Sequence, residues 1–143
     1  MFTDASEIHA AGFITQILVE DLGKPLHEQQ HETLGFCGHR FSGSEIYCAI
    51  PDKEAFAVVY KFRALDYLLT QSRHVRVYTD RRNLVRMFCP TDCTKQASER
   101  LLRWAVYLII WRYIIEHIDG KLNFWADMIT RWGEKVNELK QIK

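Results

Sequence analysis

Four acidic residues stand at positions where the surrounding pattern favours neutral or apolar side chains. Asp4 lies inside a short β-rich segment, and Glu54 begins the longest helical pattern, on its apolar face. Asp80 directly follows the strand-like run 75–79, and Asp127 lies in an aromatic and aliphatic segment. A carboxylate on a buried face is costly unless something neutralises it. These four residues are therefore the first candidates for chemistry.

If the four carboxylates meet, their mutual repulsion implies bound cations. Ligation by oxygen alone selects hard ions, which predicts Mg²⁺ or Mn²⁺. Each residue also has a purely structural interpretation. Glu54 would suit the dipole of a helix N-terminus, Asp80 could cap the following helix, Asp4 could close a hairpin, and Asp127 could pair with Arg131 one turn further on.

Composition limits the class of protein. The chain has 143 residues with 19 basic and 18 acidic side chains, so its formal charge is +1. This length favours one domain. The 48% apolar and 13% aromatic content excludes a disordered chain. The small net charge excludes a histone-like or tail-driven nucleic-acid binder but is compatible with a local basic face.

The sequence shows neither a secretory signal nor a membrane span. Residues 1–13 lack the basic segment followed by an apolar segment that marks a secretory signal. The most apolar run, 104–118, is too short for a bilayer and contains Arg112 and Glu116. The four cysteines are therefore expected to be free thiols in a reducing compartment. We expect an intracellular protein with no membrane partner.

Hydrophobic periodicity predicts an α/β domain. Strands are predicted at 2–5, 10–19, 34–41, 75–79 and 112–118. Helices are predicted at 52–71, 83–89, 98–111 and 124–132, with Ser98 as an N-cap. The first three strands, joined by tight turns, would be antiparallel. The sequence thus predicts a mixed five-stranded sheet flanked by helices over residues 1–132, followed by a charged tail at 133–143.

Five short motifs occur in a fixed order along almost the whole chain. They are Thr3-Asp4-Ala5-Ser6, a Lys53-Glu54 pair leading into Ala57-Val58-Val59, Tyr78-Thr79-Asp80, Arg103-Trp104, and Gly120-Lys121-x-Asn123-x-x-Ala126-Asp127 with Arg131. Together they resemble the ribonuclease H domain of reverse transcriptases from gypsy-type LTR retrotransposons. The resemblance implies a ribonuclease H-like fold, in which three antiparallel strands are followed by two parallel ones.

The resemblance also implies an activity. Asp4, Glu54, Asp80 and Asp127 would be the catalytic carboxylates and would hold two Mg²⁺ ions, with Mn²⁺ as a substitute and no small-molecule cofactor. Such an endonuclease hydrolyses the RNA strand of an RNA–DNA hybrid. His117, ten residues before Asp127, would shuttle a proton or assist product release, although a strand histidine without such a role fits equally well.

Substrate contacts and partners follow from the same resemblance. Ser6, Arg81, Asn83 and Arg103 are the candidates for binding the hybrid, and Arg81 stands where relatives usually have histidine. The alternative for the basic residues is a solvated helix face. The domain would work beside the polymerase domain of the same polyprotein, in a cytoplasmic virus-like particle or in the nucleus. Two rival functions remain: a catalytically silent tether domain and a host-adopted nucleic-acid-binding module.

Overall fold

The computed structural model describes residues 1–89 and 98–131 of the chain. Five strands are present: β1 (Phe2–Ala5), β2 (His9–Gln16), β3 (Glu32–Arg40), β4 (Val75–Thr79) and β5 (Tyr113–His117). The helices are α1 (Ile50–Ala64), α2 (Asp66–Leu69), α3 (Arg82–Met87), α4 (Glu99–Ile109) and α5 (residues 124–131). The predicted domain end at residue 132 and the tail 133–143 lie outside these residues.

The five strands form one mixed sheet in the order β3-β2-β1-β4-β5. Strands β1, β2 and β3 pair antiparallel, whereas β4 and β5 pair parallel on the other side of β1. This confirms the predicted architecture. The predicted tight turn between the second and third strands is wrong, because residues 17–31 form a longer connection. Buried Asp21 organises it by accepting hydrogen bonds from Lys24 Nζ at 2.6 Å and from the Gln30 amide at 2.9 Å.

The helix predicted at 52–71 is interrupted. Helix α1 ends at Ala64, because Leu65 leaves helical geometry at φ −111° and ψ 18°, and the short α2 follows. The break leaves both Leu65 and Leu69 in the core. At α4 the predicted cap is confirmed, since Ser98 Oγ accepts from the Leu101 amide at 3.3 Å. Among the helices in the described ranges, none is long and apolar enough to cross a membrane.

Apolar layers cover both faces of the sheet. On one face, α1 and α4 pack through residues such as Phe62 and Leu108 against Val77. On the other face, Ala126 of α5 packs with Phe2 of β1 and Phe13 of β2. All four residues of β1 are consequently buried, although Asp4 is one of them. The central strand thus carries a carboxylate into the interior, where it needs polar partners.

Gly12 of β2 provides the space that the side chain of Lys61 occupies. A Cβ atom at residue 12 would lie 2.0 Å from Lys61 Cε and 2.1 Å from Cδ. Lys61 projects from α1 and is fully buried, so its methylene chain cannot move aside without repacking the core. Glycine is therefore required here because the two elements approach closely.

We expect Gly12→Ala to lower the free energy of unfolding by about 1–3 kcal/mol through overpacking. Urea denaturation of Gly12→Ala, Lys61→Ala and the double variant measures how far the two changes depend on each other. The second substitution should remove most of the cost of the first. An equal cost of Gly12→Ala in both backgrounds would show that the contact with Lys61 is not its cause.

Candidate functional site

Four separate elements bring the predicted carboxylates towards one end of the sheet. Asp4 lies near the carboxyl end of β1, and Asp80 directly follows the carboxyl end of β4, the parallel neighbour of β1. Glu54 lies in α1, which packs on β1, and Asp127 lies in α5. The carboxyl ends of adjacent parallel strands are where α/β sheets commonly bind ligands.

Two of the four carboxylates are buried, and both are influenced by the charges of the other acids. Only 6% of Asp4 and 2% of Glu54 is exposed. Burial raises the pKa of Asp4, and the negative charges of Asp80 and Asp127 raise it further. Burial also raises the pKa of Glu54, to about 7, with a further contribution from the charge of Asp4. The electrostatics therefore favour a cation at this site.

Two arginines supply positive charge to the cluster. Arg81 Nε donates to Glu54 Oε1 at 3.0 Å and lies 3.7 Å from Asp80 Oδ1. Arg131 Nε lies 2.8 Å from Asp127 Oδ1, which is the helical pairing anticipated as the structural alternative. Arg81 is predicted to bind the hybrid, and in the structure its guanidinium bridges two of the acidic residues.

The cluster does not form a ready-made metal site. Within residues 1–89 and 98–131, no group of three or more His, Cys, Asp or Glu side chains is arranged to hold a metal ion. The donor chemistry nevertheless suits a hard divalent cation, because all four side chains offer oxygen. Glu54 Oε2 and Asp80 Oδ1 are also buried without a hydrogen-bond donor in the described part of the chain.

Two polar side chains that the sequence did not identify as site residues hold the cluster together. Thr130 Oγ1 donates to Asp4 Oδ2 at 2.7 Å, and Asn123 Nδ2 donates to the Thr3 carbonyl at 2.9 Å. Asn123 belongs to a recognised motif, but its role was not predicted. The signal for Thr130 is its place one helical turn after Asp127, where side chains share a face.

The remaining candidates lie around the cluster in different settings. Ser6 Oγ accepts from the His9 amide at 3.1 Å, so this hydroxyl holds the turn between β1 and β2. His117 is exposed at the end of β5, in register with Thr79. Asn83 is exposed in α3, and Arg103 is exposed on α4. Their predicted roles towards substrate stay predictions.

Comparison with known proteins places the chain in a family. Residues 1–111 match the model of the RNase H-like domain found in reverse transcriptase. The chain is also 25% identical over 130 residues to the transposon Tf2-3 and Tf2-4 polyproteins of Schizosaccharomyces pombe. These matches cover 90% of this chain but only 9% of each polyprotein. With its five-stranded mixed sheet, the chain has a ribonuclease H-like fold and belongs to the family of RNase H-like domains found in reverse transcriptases.

Proposed function

We propose that this domain is a metal-dependent endonuclease that hydrolyses the RNA strand of RNA–DNA hybrids during retrotransposon reverse transcription. One observation carries the proposal: four carboxylates from four different elements approach one another at the end of the sheet, in a domain of the reverse transcriptase family. A scaffold has no use for mutually repelling buried acids, because each destabilises the others.

Asp4, Glu54, Asp80 and Asp127 would hold two Mg²⁺ ions, for which Mn²⁺ would substitute. When bound, such ions activate a water molecule and stabilise the leaving 3′-oxygen. The chain's own contribution is to fix its carboxylates and to orient the substrate. Glu54 Oε2 and Asp80 Oδ1 accept no hydrogen bond among the described residues, so both would serve as ligands once the Arg81 guanidinium, 3.7 Å from Asp80 Oδ1, moves aside.

Arg81 supports the proposal in a second way. It is half exposed while it pairs with Glu54, so its guanidinium can leave the carboxylate for solvent when a cation of higher charge binds. The freed side chain would then face the substrate beside Asn83, and a guanidinium suits bidentate contact with phosphate. Ser6 and Arg103 are proposed as further contacts, and His117 as a proton shuttle or product-release residue.

The proposed partners follow from the family. The matched relatives are polyproteins, so the domain would act beside a polymerase domain of its own polyprotein, in virus-like particles in the cytoplasm or in the nucleus. A formal charge of +1 gives the isolated domain little electrostatic affinity for nucleic acid, and what there is falls with salt. Assays should therefore use low ionic strength.

We expect the full chain to cleave an end-labelled RNA strand paired with DNA when Mg²⁺ or Mn²⁺ is added. The same RNA should stay intact in duplex RNA, whose shape differs from that of a hybrid. Denaturing gels over a Mg²⁺ titration, with EDTA as the blank, measure the rate. Cleavage that persists in EDTA, or folded protein that never cleaves the hybrid, contradicts the proposal. Hybrid binding without cleavage would instead support the silent tether or binding module.

A further inference from the structure

We infer that Thr130 is a positioning residue, whose buried hydroxyl fixes the orientation of the Asp4 carboxylate relative to Asp127 for metal binding. The inference rests on the proposed function, since it concerns the same carboxylates. Thr130 is fully buried and 126 positions from Asp4 in sequence, yet its Oγ1 lies 2.7 Å from Asp4 Oδ2. Such a short contact is typical of a hydroxyl donating to a carboxylate.

The same hydroxyl is held in place by its own helix. Thr130 Oγ1 lies 2.8 Å from the carbonyl oxygen of Asp127, a back-bond that threonine commonly makes to the preceding helical turn. This contact favours the rotamer that points Oγ1 between the carbonyl and the carboxylate. Because one hydroxyl has one proton, it goes mainly to the ionised carboxylate, the stronger acceptor.

This geometry gives the two oxygens of Asp4 different roles. Oδ2 is engaged by Thr130, so Oδ1 is the oxygen left for a cation. Since Thr130 and Asp127 share one turn of α5, the hydrogen bond also fixes the distance between two of the four carboxylates. Hydrogen-bond partners of metal ligands usually matter in this way, and their loss weakens metal binding about 10-fold to 100-fold.

A second contact makes the role of Thr130 separable from folding. Asn123 Nδ2 donates to the carbonyl of Thr3, the residue before Asp4, at 2.9 Å, and Asn123 is itself buried. The segment that carries Asp127 is thus attached to β1 at two successive residues. Removing only the Thr130 hydroxyl leaves the Asn123 contact and the packing of Ala126 intact. The fold should therefore persist while the orientation of Asp4 becomes variable.

The test compares Thr130→Val, which keeps the shape but removes the hydroxyl, with Thr130→Ser, which keeps the hydroxyl. Calorimetric titration of the full chain with Mn²⁺ alone reads metal affinity without relying on activity. We expect Thr130→Val to weaken Mn²⁺ binding about 10-fold or more, and Thr130→Ser to restore it to near the wild-type value. In hybrid cleavage at a fixed Mn²⁺ concentration, kcat should fall and KM should stay unchanged.

The outcomes separate the inference from the function on which it rests. If Thr130→Val binds Mn²⁺ as tightly as the wild type does, the positioning role is overturned and the proposed function is not. Wild-type chain that binds no Mn²⁺ overturns the proposed function and this inference with it. If Thr130→Val does not fold, as judged by circular dichroism, Thr130→Ala removes the same hydroxyl without placing a methyl group against the carboxylate. Failure of Thr130→Ser to rescue also overturns the role.

Discussion

Asp80→Asn should reduce metal-dependent hydrolysis of the RNA strand by on the order of 10³-fold, while the domain stays folded. Asparagine keeps the shape of the side chain but lacks the charge with which Asp80 would hold a divalent cation. Metal ions supply several kcal/mol of transition-state stabilisation, and each 1.4 kcal/mol corresponds to about a tenfold change in rate. Hydrolysis rates at saturating Mg²⁺, measured with end-labelled hybrid, test this expectation.

The metal-free protein provides an independent readout of the same substitution. Asp80 adds to the negative charge that raises the pKa of Asp4 and of Glu54. Removing its charge should therefore leave thermal stability in EDTA unchanged or slightly higher, while the stabilisation gained on adding Mn²⁺ is lost. Glu116→Gln on β5, in register with Tyr78, is the matched control and should cleave normally. Full cleavage by folded Asp80→Asn would contradict the assignment.

Local patterns located the five strands and most helix ends to within a few residues, although the strand predicted at 10–19 ends at Gln16. The run 75–79 is β-branched and bounded by polar residues, and β4 occupies those positions. The end of α1 was not predictable, because Leu65 and Leu69 continue the helical spacing beyond the break. Tertiary packing determines where α1 ends, since the change of direction at Leu65 lets both leucines enter the core.

The candidate site was predictable in its acids and in the helical pairing of Asp127 with Arg131, but not in its long-range partners. Asp4 and Asp80 stood out because a carboxylate inside a buried strand, or directly after one, violates the local pattern. Their partners carry no such signal. Arg81 meets Glu54 across 27 positions, and Thr130 meets Asp4 across 126. Sequence reasoning predicted that cations would neutralise the acids; in the structure Arg81 and Arg131 provide positive charge.

Lys61 is the largest departure from what the periodicity of α1 indicates. A lysine in the last turn of a helix ordinarily lies in solvent, yet Lys61 is fully buried above Gly12. Its Nζ has no hydrogen-bond partner in the part of the chain that the structure describes. The space left by Gly12, on strand β2, makes this burial sterically possible, so the sequence of α1 alone does not reveal it.

Burial of Lys61 has a definite energetic consequence. It lowers the pKa of the ammonium from 10.5 to about 8, even though the nearby Cys37 thiol and the carboxylates of Asp4 and Glu54 oppose this change. Because each pKa unit corresponds to about 1.4 kcal/mol, keeping Lys61 charged in the fold costs roughly 3 kcal/mol at pH 7.

Lys61→Met should therefore stabilise the domain by roughly 3 kcal/mol at pH 7, because methionine fills the same channel without a buried charge. The folded state releases the Lys61 proton more readily than the unfolded state. The penalty is thus complete below pH 8 and declines as pH rises towards 10.5. Urea denaturation of both proteins from pH 7 to 10 should show the difference in unfolding free energy shrinking, while the titrations of groups that do not interact with Lys61 cancel. A gap independent of pH, or a less stable Lys61→Met, would mean that the ammonium is not carried as an unpaired charge and that its burial is compensated within the core.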